Sequence, residues 1–197
     1  MAEGMSGESA PERWSASKIY GDDMWADPDD DPRSWGDQQD ERSVLVEYLR
    51  DYRLTLELKC AGLDVGQLAR RSVPPSTMSL LGLIRHMADV ERSWFRRTMA
   101  GEDVPFRYWF NPEPDVDWTG AVADPEVVAQ AWQAWRDEVA FAEQFVANSA
   151  DLDRLGVKSD GNHISLRRIM VHMIEEYARH CGHADLLRER IDGRVGQ

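Results

Sequence analysis

The sequence predicts an all-α fold: a four-helix bundle preceded by an acidic N-terminal strap, with a long aromatic loop between the second and third helices. Two observations carry this. Four segments repeat apolar residues at three- and four-residue spacing, which places them on one helical face. Turn and capping residues bracket them, and no segment shows the apolar–polar alternation of a half-buried strand. Four amphipathic helices of about 18 to 26 residues hide their stripes most simply against one another.

The first helix is read from Ser43 to Cys60, with Leu45, Leu49, Tyr52, Leu56 and Cys60 on its stripe and Gly62 as its stop. The second runs from Met78 to Met99. Leu80, Ile84, Met87, Ala88, Glu91 and Phe95 share its face, the turn residues Pro74 to Thr77 precede it and Gly101 ends it. The third opens on Asp124-Pro125-Glu126, an N-cap followed by proline at the first helical position and an acid in the first turn. Its stripe is Val128, Trp132, Trp135, Val139, Ala142 and Val146. The fourth starts near Ser165, after the turn-like Ser159 to Asn162. It carries Leu166, Ile169, Met170, Met173, Tyr177, Cys181, Ala184, Leu187 and Ile191, and stops at Asp192-Gly193. Between the second and third helices, Ala100 to Ala123 holds Phe106, Tyr108, Trp109, Phe110 and Trp118. A loop this long in a compact domain is usually functional or a crossover, so it is expected to pack over one end of the bundle.

The expected organisation is an acidic extension over residues 1–40 and a bundle domain over 41–197. Eleven of the 36 acidic residues but three of the 23 basic ones lie in residues 1–40. Trp14, Trp25 and Trp35 also lie there, so a strap that docks its indoles competes with a solvated tail. The run Asp27 to Pro32 lacks the glycine and terminal glutamate of an EF-hand loop and reads as an acidic turn.

The net charge of −13 disfavours binding to nucleic acid. No apolar run approaches the roughly 20 residues of a membrane helix. The first residues lack the basic start and apolar core of a signal peptide. Two cysteines make no disulfide framework. A cytoplasmic protein is expected.

Chemistry is expected where the histidines gather. His163, His172, His180 and His183 lie beyond residue 160, and His86 is on the second helix. At 100° per residue, His172, Glu176, His180 and His183 form one polar band beside the apolar stripe of the fourth helix. Eight residues span about 12 Å, so His172 and His180 cannot share one ion. Three neighbouring pairs remain: His172 with Glu176, Glu176 with His180, and His180 with His183, each with His86 as an available third ligand. Two histidines, one carboxylate and an open position make a catalytic zinc arrangement, and one that also fits non-haem iron.

Leu80 to Arg97 (LLGLIRHMADVERSWFRR) and His172 to Gly193 (HMIEEYARHCGHADLLRERIDG) resemble the two signature helices of the DinB-like superfamily. More narrowly they resemble its branch related to mycothiol-dependent enzymes. The resemblance spans about Glu41 to Gly193. It implies a four-helix bundle holding a divalent metal through His86, Glu176 and His180. Zinc is the first expectation, with nickel or iron as alternatives. Many members have histidine where this chain has Glu176, but the mycothiol-dependent maleylpyruvate isomerase is similar to this chain in using His, Glu and His. Where many members read H-R-G-Q, this chain has His180-Cys181-Gly182-His183.

The resemblance implies a transferase that activates a low-molecular-weight thiol such as mycothiol for attack on an electrophilic small molecule. It also implies a homodimer. His172 is a candidate neighbour of the ligands or proton shuttle. Arg85 and Arg179, beside the ligands in sequence, are expected mainly at a salt-bridged surface, and Cys181 as a buried, inert thiol. Two other readings stay open: a metal-dependent hydrolase using activated water, and a non-catalytic, stress-associated metal-binding bundle.

Overall fold

The computed structural model describes residues 31–33, 36, 38–109 and 115–195. The helices are α1 (Glu41–Cys60), α2 (Val65–Ala69), α3 (Leu80–Glu91, continued by a π-helical stretch Arg92–Met99), α4 (Val116–Thr119), α5 (Pro125–Asn148) and α6 (Leu166–Asp192). A hairpin of β1 (Leu155–Val157) and β2 (His163–Ser165) precedes α6, with Gly156 opposite Ile164. No described helix is long and apolar enough to cross a membrane.

The long helices form where their caps and stripes place them. Asp40 accepts from the Ser43 N–H, which starts α1 at Glu41, two residues ahead of the expected start at Ser43. Ser79 accepts from Gly82 N at 3.1 Å and fixes the start of α3 at Leu80 rather than Met78. Asp124 with Pro125 opens α5, Ser165 opens α6, and Gly193 closes α6 at φ 80°, a conformation that costs glycine nothing. All nine residues of the predicted stripe on the fourth helix are buried: Leu166, Ile169, Met170, Met173, Tyr177, Cys181, Ala184, Leu187 and Ile191 line the core.

Helix α1 packs on α6, and α3 packs on both α5 and α6. At the centre, Arg53 of α1 donates two 2.8 Å hydrogen bonds to Glu91 of α3. Tyr177 of α6 donates to the same carboxylate at 2.7 Å, and Trp135 of α5 donates to the Tyr177 hydroxyl at 2.9 Å. One buried network thus joins all four long helices. Every member has a partner, as a low-dielectric interior requires. A second buried acid, Glu138 of α5, receives Arg92 at 2.6 Å, Arg96 at 2.5 Å and Arg107 at 3.0 Å. The π-helical turn is wider than an α turn. Along it, Arg92 and Arg96 reach α5 while Trp94 reaches His172 of α6.

The hairpin and the two short helices are departures from the sequence expectation. Three-residue strands and helices of four or five residues are too short to show a period. They are held instead by their neighbours: a Cβ on Gly156 would lie 2.6 Å from the Thr98 carbonyl oxygen, so the hairpin rests directly on the end of the π-helical stretch.

Of the strap, the described residues lie along α1. Arg33 pairs with Asp31 and donates to Thr55 at 3.2 Å, Arg50 donates to the Pro32 carbonyl at 3.3 Å, and Gly36 N donates to Glu47 at 2.7 Å. Trp14, Trp25, Trp35 and Asp27 to Asp30 lie outside the described residues, as does Phe110 of the crossover.

Candidate metal centre

Helices α3 and α6 lie side by side and bring His86 together with Glu176 and His180. One donor atom from each lies within 4.8 Å of the other two. The His86 and His180 rings are 4.8 Å apart, and His180 Nε2 is 3.5 Å from Glu176 Oε2. Donors about 2.1 Å from one zinc ion stand roughly 3.4 Å apart, so small side-chain adjustments would suffice to bring this trio to the spacing a divalent cation needs. The donor set, two imidazoles and a carboxylate, suits one.

Burial pushes the His180 imidazole down to about 4, helped by the neighbouring His86 and His183. At neutral pH it is therefore a neutral imidazole with a free lone pair. In metal-free protein this has a pH consequence. The native state resists a proton that the unfolded chain takes up near 6.5, so acid favours unfolding. The His180 contribution is complete above pH 6.5 and is lost as pH falls from there toward about 4. Thermal melts of chelator-treated protein should fall across this window. The fall should be shallower in His180→Gln, and equal slopes in the two proteins would refute the assignment.

Each donor also has a neighbour on its far side. His86 Nδ1 is 2.9 Å from Asp117 Oδ2, and His180 Nδ1 is 3.3 Å from His183 Nδ1. Glu176 Oε1 is 3.6 Å from His172 Nε2 and 3.9 Å from the exposed Arg179. Trp118 stacks on His86 at 5.1 Å, and Trp94 meets His172 edge-on at 4.8 Å. His172 is thus beside the donors, and His183 touches one of them. His163 is on the hairpin and exposed.

The crossover between α3 and α5 is fastened from α3. Asp89 accepts three successive backbone N–H groups, from Arg107 at 2.7 Å, Tyr108 at 2.8 Å and Trp109 at 2.9 Å. Arg85, expected at a salt-bridged surface, is instead buried. It donates to the carbonyls of Asp117 and Val116 at 2.9 Å each and lies over the Tyr108 ring. Its neighbours are backbone carbonyls because the crossover folds over this face of α3. Asp117, Trp118 and Asp89 had no distinguishing sequence pattern; only the aromatic density of the crossover marked the region.

Both cysteines are buried, and burial raises the thiols of Cys60 and Cys181 to about 12. Iodoacetamide at neutral pH should therefore modify neither in folded protein and both after denaturation. Rapid native labelling of Cys181, read by mass spectrometry, would overturn the reading of an inert thiol. A cavity of about 340 Å³ opens on the other face of α6, between Tyr52, Thr55, Cys181 and Asp185. None of the three donors lines it.

The fold is thus that of a DinB-like all-α bundle, with a candidate His-Glu-His centre between its second and fourth long helices. Comparison narrows the class: a family model described as mycothiol S-transferase matches residues 44–193, and the chain belongs to that family. Among solved structures, a conserved protein from Enterococcus faecalis is similar at a TM-score of 0.54 and 16% identity. The match covers 78% of this chain and 98% of the other, and shows the shared fold. No curated protein matches the chain.

Proposed function

We propose that the protein is a divalent-metal-dependent S-transferase of a mycothiol-type thiol, with His86, Glu176 and His180 as the ligands. The supporting observation is the convergence of these donors from two facing helices in a chain of the mycothiol S-transferase family. A bound zinc ion would lower the pKa of a thiol so that its sulfur is nucleophilic at neutral pH. His172, whose Nε2 stands 3.6 Å from Glu176, accepts the thiol proton. The exposed Arg179 guanidinium offers a charge beside the donors to an anionic group of either substrate. Sulfur then bonds to the electrophilic carbon as the leaving group departs. The proposed working unit is a cytoplasmic homodimer.

A thermal-shift panel tests the reading. Zinc should stabilise chelator-treated protein, and mycothiol-type thiols should add a further shift only when zinc is present. Pairing a stabilising thiol with electrophiles should then yield the thioether, detected by mass spectrometry. No thiol response with pH-dependent hydrolysis would indicate a hydrolase, and neither response would leave a metal-binding bundle.

A further inference from the structure

We propose that Asp117 and Arg85 are positioning residues for His86: together they determine which ring nitrogen it offers to a metal. The inference rests on the metal reading above. Asp117 is 5% exposed, and its Oδ2 lies 2.9 Å from His86 Nδ1. A carboxylate only accepts, so the proton sits on Nδ1 and the lone pair on Nε2. A histidine so held presents one donor atom in one orientation. The second oxygen, Oδ1, accepts from Trp118 N at 3.1 Å, which fixes the carboxylate plane.

Asp117 belongs to the four-residue α4, a helix too short to persist alone. Arg85, the residue before His86, supplies its support. Its guanidinium bridges the Val116 and Asp117 carbonyls, with its carbon 4.1 Å from the Tyr108 ring centroid. Two glycines, one on each side of the contact between α3 and α4, allow this close approach. A Cβ on Gly120 would lie 2.5 Å from Arg85 Nη2, and one on Gly82 would lie 2.7 Å from the Trp118 ring. Arg85 therefore acts on His86 through the backbone of α4 and the carboxylate of Asp117, at one remove from the metal.

Zinc affinity, measured by chelator competition, and the His86 ring-nitrogen NMR shifts of metal-free protein test this without reference to turnover. Asp117→Ala should weaken zinc about tenfold to a hundredfold and let the His86 proton distribute over both nitrogens. Arg85→Ala should reproduce most of both effects. Arg85→Lys should restore little, because an ammonium cannot bridge two carbonyls as the planar guanidinium does. The double Ala variant should be no weaker than Asp117→Ala alone, the signature of residues acting in series. Wild-type zinc affinity in folded Asp117→Ala would overturn the proposal, as would losses that multiply in the double variant. If Asp117→Ala fails to fold, Arg85→Ala decides: wild-type affinity with the proton still on Nδ1 refutes the relay. Unchanged zinc affinity in His180→Ala would instead overturn the metal site itself and the relay with it.

Discussion

Replacing His180 with alanine is expected to empty the proposed metal site and abolish the proposed thiol transfer. His180 is 8% exposed, is neutral at working pH, and lies within reach of both other donors. Removing it leaves one imidazole and one carboxylate, short of the three protein ligands of a catalytic zinc site. Metal content, by elemental analysis of folded protein, should fall from about one ion per chain to near none. Glu176→Gln should hold metal weakly, because a neutral amide is a poorer ligand. His183→Ala should keep metal near normal even if turnover drops, since His183 contacts His180 from the far side. If His183→Ala empties the site while Glu176→Ala leaves it full, the ligand pair is His180 with His183.

The largest stability loss is expected for Glu91→Ala. Glu91 is fully buried and accepts from Arg53 and Tyr177. Its removal strands a guanidinium that has 6% exposure. The neighbouring Glu143 of α5, at 3.6 Å, is more than half exposed and offers only a partial substitute. Breaking a buried pair in this way costs about 3–5 kcal/mol, which lowers Tm by roughly 6–20 °C in a chain of this size. Glu91→Gln should cost less, because its carbonyl still accepts one of the bonds. A melt within a degree of wild type for Glu91→Ala would mean that the network does not bear on stability.

The long helices were legible because each repeats one signal many times. Glu91 even fell on the predicted stripe, although period alone gives no reason for a carboxylate there; Arg53 and Tyr177 supply it. The gathering of the three candidate donors was legible in part. Axial rise excluded His172 with His180, and family resemblance then selected Glu176 with His180 over His180 with His183. Asp117 was not legible, because its role depends on a crossover folding back over α3. That contact is made by the Val116 and Asp117 carbonyls and the N–H groups of residues 107–109. Main-chain groups are present at nearly every position and leave no mark in a sequence. The buried Glu138 was hidden for a related reason, since its three arginines come from the π-helical stretch and the crossover.

The hairpin seated on the end of that π-helical stretch has a mechanical consequence. It runs straight into α6, with Leu166 N bonded to the Arg154 carbonyl at 2.9 Å, so α3 and α6 are clasped at that end. Further along the antiparallel pair, Trp94 meets His172, then Glu91 meets Tyr177, then His86 meets His180. Four cross-ties over roughly 20 Å of helix turn the pair into a ladder instead of a hinge. Splaying the two rails would break several rungs at once. Accommodation of differently shaped guests would therefore fall to side chains and to the crossover, leaving the spacing of the helices that carry the candidate donors nearly constant.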